Sequence, residues 1–108
     1  MKSLEWIGSS KKDIKKFPED VQDSIGFALL EAQKGDKHIH AKPLKGIKAT
    51  EIVERSRNGT YRVVYTTAVK NVVYVLHAFQ KKSKKGIKTP MQEINLVKQR
   101  LKEVINLK

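Results

Sequence analysis

The spacing of apolar residues along this 108-residue chain changes period twice. Leu4, Trp6 and Ile7 form a short apolar start that reads as a strand. Ser10, with Asp13 three residues on, predicts a helix N-cap with an acid in the first turn. That helix must be short, because Pro18 follows and opens a second one at its first position. Glu19, Asp20 and Asp23 favour the positive end of the second helix. Val21, Ile25, Ala28, Leu29 and Ala32 then line one helical face. Gly26 costs that helix up to about 1 kcal/mol against Ala, which close packing would justify. Lys34 and Gly35 are stop signals. Residues 36–49, with Pro43 and Gly46, read as a loop.

The period then becomes two. Residues 51–56 and 60–67 are candidate strands around Asn58-Gly59, a strong hairpin signal. Residues 71–79, rich in Val and Tyr, form the next strand after a turn at Lys70-Asn71. Thr89 as N-cap, Pro90 at the first position and Gln92 as capping-box partner open a last helix. Its stripe is Met91, Ile94, Val97, Leu101 and Val104, with Lys98, Arg100 and Lys102 pointing elsewhere. The order predicts one α+β domain over residues 1–108. It would be a small antiparallel sheet of about four strands, with an N-terminal helical hairpin and a C-terminal helix packed on one side.

A two-residue loop at Asn58-Gly59 sets Arg55 opposite Arg62 and Val53 opposite Val64. Ile52, Val63 and Tyr65 then face the helices, with Glu54 and Tyr61 nearby. Two arginines directly opposed repel each other. Either water screens them at a mobile hairpin end, or a bulge shifts the register, or they form part of an anion-binding face.

Composition sharpens that last option. The chain carries 23 Lys+Arg against 11 Asp+Glu, a formal net charge of +12. Five of the nine residues from Gln80 to Lys88 are Lys: Lys81, Lys82, Lys84, Lys85 and Lys88. This run is anchored between a strand and a helix cap, so Lys81 and Lys82 should reach the sheet face near Arg62. Arg55, Arg57, Lys84, Lys85 and Lys88 would add phosphate contacts, which give affinity rather than sequence choice. The chain has no Cys, so disulfides and thiolate metal sites are excluded. It has no apolar run long enough for a membrane span and no signal-peptide core, which points to the cytoplasm.

Other chemistry is sparse. His38 and His40 lack a third metal ligand nearby in sequence. His77 falls on the last strand, on the face opposite Tyr74 and Leu76, either as a packed strand histidine or as a titratable group near Arg62 and Lys81. Phe79 is a candidate to stack on a base and equally a candidate core residue. No phosphate loop or nucleophile elbow is present.

A succession of motifs remains: Lys42-Pro43-Leu44-Lys45-Gly46, Glu51-Ile52-Val53-Glu54, Asn58-Gly59-Thr60-Tyr61-Arg62-Val63-Val64-Tyr65, Val75-Leu76-His77-Ala78-Phe79-Gln80-Lys81-Lys82-Ser83 and Lys88-Thr89-Pro90 with Glu93-Ile94. It resembles the RelE/ParE toxin superfamily, and more closely its HigB-like, phage-derived branch. The resemblance implies a growth-inhibiting toxin of a type II toxin–antitoxin pair. RelE- and HigB-like members are ribosome-dependent mRNA endoribonucleases. They cleave without metal or other cofactor, by attack of the ribose 2′-OH on the adjacent phosphate. On that resemblance Arg62 would bind the scissile phosphate, and Lys81, with Lys82 beside it, fills the second basic position. The family's tyrosine near the C-terminal end of the site is absent. Its basic residue on the first hairpin strand is replaced by Glu51 or Val53. The general base stays open among Glu51, His77 and a lysine of residues 81–88.

The implied partners are the ribosome, mRNA and a HigA-like helix-turn-helix antitoxin, with no membrane. Two other functions fit the same fold: a ParE-like inhibitor of DNA gyrase, and a non-catalytic RNA-binding module.

Overall fold

The computed structural model describes residues 1–81 and 89–107. Among them, the elements are β1 (Leu4–Trp6), α1 (Ser10–Ile14), α2 (Glu19–Gln33), β2 (Ala41–Pro43), β3 (Thr50–Ser56), β4 (Gly59–Thr66), β5 (Val73–Lys81) and α3 (Met91–Ile105). The strands form one sheet in the order β1-β5-β4-β3-β2, so β4 is central. The α+β class expected from the sequence holds, with differences in detail. The sheet is mixed, because β1 pairs parallel to β5 through Leu4↔Val73 and Trp6↔Val75. The expected loop at residues 36–49 contains β2, whose Ala41 pairs with Ile52. Both edge strands are three residues long, which limits edge-to-edge association.

The helices lie on both faces of the sheet, not on one. Val63 and Val64 are neighbours on β4 and therefore point to opposite sides. Val63 joins a cluster with Val21, Ile25, Ala28, Leu29 and Ala32, the five residues that the helical period selects on α2. Val64 joins Tyr74, Leu76, Val97 and Val104, the last two from α3. Tyr65 belongs to the α2 layer, and burial pushes its phenol above the ordinary value, with a Thr50 hydrogen bond acting the other way.

The register departs from expectation twice. Ser56 pairs with Gly59, so the turn residues are Arg57 and Asn58, and the positive φ of +123° falls on Gly59. Arg55 therefore pairs with Thr60, and Arg62 with Val53. The shift is two residues, so every side chain keeps its predicted face. Arg55 and Arg62 sit diagonally, and the direct opposition is gone. The second departure is a bulge on β5. Tyr65 pairs with Val75 but Val64 pairs with His77, leaving Leu76 as the extra residue. Alternation breaks there, and Tyr74, Leu76 and His77 all face α3. His77 is thus on the same face as Leu76, not the opposite one.

Caps also differ. Pro90 takes the N-cap position of α3 and Pro18 that of α2, each with ψ near 147°. Gly26 faces solvent, and a Cβ added there would meet nothing within 4 Å. No packing requires this glycine. Gly26→Ala should raise the unfolding free energy by about 0.5–1 kcal/mol, read from urea denaturation at constant m.

Candidate active site

The sheet face under α3 is a grid fixed by pairing. One row runs Glu51, Val64, His77; the next Val53, Arg62, Phe79; the last Arg55, Thr60, Lys81. Arg62 thus sits on the central strand, diagonal to Glu51. Both are buried, at 4% and 1% exposure, depths at which single charges are rarely tolerated.

They tolerate burial by pairing. Arg62 Nη1 donates to Glu51 Oε1 at 2.8 Å. The Thr89 hydroxyl donates to the other carboxylate oxygen, Oε2, at 2.5 Å. Arg62 Nη1 also reaches the Thr89 hydroxyl oxygen at 3.5 Å. Thr89 is therefore not the helix cap expected from its sequence context. Its hydroxyl seals the ion pair instead, and the start of α3 lies over Arg62.

The bulge supplies the second anchor for α3. Arg100 Nη1 donates to the Leu76 carbonyl at 2.9 Å and lies 3.4 Å from His77 Nδ1. Its Nη2 reaches Ser9 Oγ at 3.3 Å. Gly8, at φ +56°, lies under this guanidinium, where an added Cβ would come within 2.7 Å of Arg100 Cζ. His77 Nε2 pairs with Glu93 Oε2 at 2.9 Å, and the ring stacks on Phe79 with centroids 5.1 Å apart. Nδ1 faces the Arg100 guanidinium and Nε2 faces the Glu93 carboxylate. Both nitrogens face α3, so the ring acts as a tie between helix and sheet.

Arg62, Arg55 and Lys81 share one face, in adjacent rows, with Arg55 exposed and Lys81 half-buried. His77 shares the face but is buried. Arg57 lies exposed at the turn. Lys82, Lys84, Lys85 and Lys88 fall outside the described residues. Sequence reasoning gives Thr89 as a helix cap and Glu93 only within a motif; it missed the ties both residues make, and Arg100. Arg100 does not point elsewhere: it stands three residues after Val97, on the buried side of α3, and that spacing was the available signal.

A mixed five-stranded sheet with its central cation on β4 and a helix closing over it defines a RelE-like fold class. The isolated E. coli RelE toxin matches with a TM-score of 0.61 at 22% identity, covering 92% of this chain and 98% of that one. RelE in the intact E. coli RelBE toxin–antitoxin complex matches at 0.60 and 22%, over 77% and 100% of the two chains. An E. coli RelE mutant in complex with a RelBc antitoxin peptide matches at 0.61 and 24%, over 76% and 85%. These likenesses establish the fold. No curated protein matches significantly. The sequence profile described as "Phage derived protein Gp49-like (DUF891)" matches residues 12–102, and the chain belongs to that family.

The pair makes a stability prediction. Glu51→Ala leaves Arg62 buried without its carboxylate and should cost about 3–5 kcal/mol. Replacing both, as Glu51→Leu with Arg62→Met, should recover most of that loss. Urea unfolding of Glu51→Ala, of Glu51→Leu and Arg62→Met singly, and of the double variant checks the cycle.

Proposed function

We propose that the protein is the toxin of a type II toxin–antitoxin pair, of the HigB-like phage-derived kind, acting as a ribosome-dependent mRNA endoribonuclease. The observation that carries the reading is Arg62, a buried guanidinium on the central strand of a RelE-like sheet, sharing its face with Arg55 and Lys81. The reading takes residues 1–108 as one toxin domain.

In the reaction, the ribose 2′-OH gives its proton to a general base as its oxygen bonds to phosphorus, and the 5′-oxygen leaves with a proton from a general acid. Negative charge builds on the non-bridging oxygens, and a fixed guanidinium is suited to receive it. Arg62 is already oriented by Glu51; when Thr89 moves off, water reaches the Glu51 carboxylate and Arg62 exchanges it for a phosphate oxygen. Lys81, with Lys82, supplies the second cation. Arg55, Arg57, Lys84, Lys85 and Lys88 hold the RNA backbone on either side. His77 positions α3 through Glu93 rather than transferring protons. The reaction as proposed uses no metal or other cofactor.

The ribosome and mRNA are the proposed targets, which places the protein in the cytoplasm. Among the described residues, no helix is long and apolar enough to cross a membrane. An antitoxin of the HigA-like helix-turn-helix type is the proposed partner. The antitoxin-bound RelE structures support an antitoxin partner of some kind.

Arg62→Ala alone is a poor test, because Glu51 would be left buried and charged. Arg62→Gln with Glu51→Gln removes both charges and leaves the fold checkable by circular dichroism. This double variant should lose growth arrest and at least ~100-fold of transcript cleavage in reconstituted translation. A folded double variant that cleaves like wild type would overturn the reading. DNA breaks with an SOS response and no transcript cuts would favour gyrase inhibition instead.

A further inference from the structure

The opposite face of the sheet holds a cluster that the proposed function does not use. Glu54 is on β3 and points toward the α2 layer, paired across the strands with Tyr61. Its carboxylate is nearly enclosed, with 11% of the side chain exposed. His40 Nδ1 meets Glu54 Oε1 at 2.8 Å. His38 lies against His40, with ring centroids 5.1 Å apart and planes at 73°. Phe27 of α2 backs His38 at 6.0 Å, edge to face. Backbone bonds fix the segment: Ala41 N–H donates to the His38 carbonyl at 2.9 Å and Val53 N–H to the His40 carbonyl at 3.2 Å.

One ligating atom each from His38, His40 and Glu54 lies within 4.8 Å of the others. Tetrahedral zinc with bonds of 2.0–2.1 Å needs its ligands roughly 3.3 Å apart. Closing the difference takes side-chain rotation only, because the backbone is already in place. His38 Nδ1 accepts the His40 backbone N–H at 3.0 Å, so metal capture turns that ring away from one modest hydrogen bond. Two imidazoles and one carboxylate form a donor set for zinc and its borderline neighbours, not for calcium or magnesium. The three groups share a concavity with Asp23, Ser24 and Phe27, which leaves room for a water as fourth ligand.

The net charge of +12 opposes cations at long range, so the site depends on local carboxylates. Glu54 supplies one as a ligand, and Asp23 adds a second on the rim.

We infer that His38, His40 and Glu54 form a zinc site that pins the segment before β2 to β3. The ion is structural. It binds on the face away from Arg62, so it takes no part in RNA cleavage. Because it binds the folded chain and not the unfolded one, it raises thermal stability in proportion to its occupancy.

Calorimetric titration of the full chain, stripped with a chelator, with zinc chloride alone tests this. The expected result is one zinc per chain, with affinity at least tenfold lower in His40→Ala and in Glu54→Gln. Zinc should raise the melting temperature of wild type and leave that of His38→Ala/His40→Ala unchanged. His38 is half-buried and His40 exposed, so the double variant should keep its circular dichroism spectrum. No saturable binding, less than tenfold weakening in both variants, or an equal melting shift in the double variant would overturn the assignment. None of these outcomes bears on cleavage, so the zinc site and the nuclease reading fail separately.

Discussion

A buried arginine on the central strand of a small sheet is unstable without a counter-charge, and Glu51 provides it. The face under α3 is organised around that requirement. Glu51 needs a second donor for its remaining oxygen, and Thr89 supplies one. Binding Thr89 brings the first turn of α3 down over Arg62. The other end of the helix contact is set by the bulge at Leu76. There the strand presents a carbonyl to Arg100 and turns His77 toward Glu93. The helix is held by polar ties through Thr89, Glu93 and Arg100, and by Val97 and Val104 along its length.

Under the proposed function this arrangement has a consequence for RNA binding. A guanidinium kept solvated would adopt many orientations and need ordering when RNA arrives. One held by a carboxylate is already ordered, and the cost of desolvating it was met during folding. Exchanging carboxylate for phosphate then changes the partner and not the geometry. The same arrangement keeps Arg62 covered beneath Thr89.

Much of the frame was legible in the sequence. Val21, Ile25, Ala28, Leu29 and Ala32 show the helical period without ambiguity, and the structure buries those residues on α2. The hairpin faces were legible too, because the register error was two residues and parity survived. The turn chemistry misled: Gly59 takes the positive φ after the turn rather than within it. The bulge was not legible, since one extra residue in a run of β-formers leaves no mark. Strict alternation therefore put His77 on the wrong side. The parallel pairing of β1 with β5 was hidden for a similar reason, because three residues of strand carry no signal of direction.

The polar ties were partly legible. Glu51 and Glu54 interrupt an apolar alternation, and each interruption called for a partner. Glu51 finds Arg62 on the neighbouring strand. Glu54 finds His40, for which the sequence offers no third ligand nearby. The strand pairing that brought them together was the missing information.

The central claim is that Arg62 trades Glu51 for RNA phosphate. The most direct measurement is a structure of the protein on a ribosome carrying mRNA whose scissile ribose is 2′-deoxy, so that cleavage cannot occur. The account predicts the Arg62 guanidinium at hydrogen-bond distance, about 3 Å, from the scissile phosphate, with Thr89 displaced and the Glu51 contact broken. An Arg62 still bound to Glu51 beneath Thr89, with the phosphate held elsewhere, would contradict it.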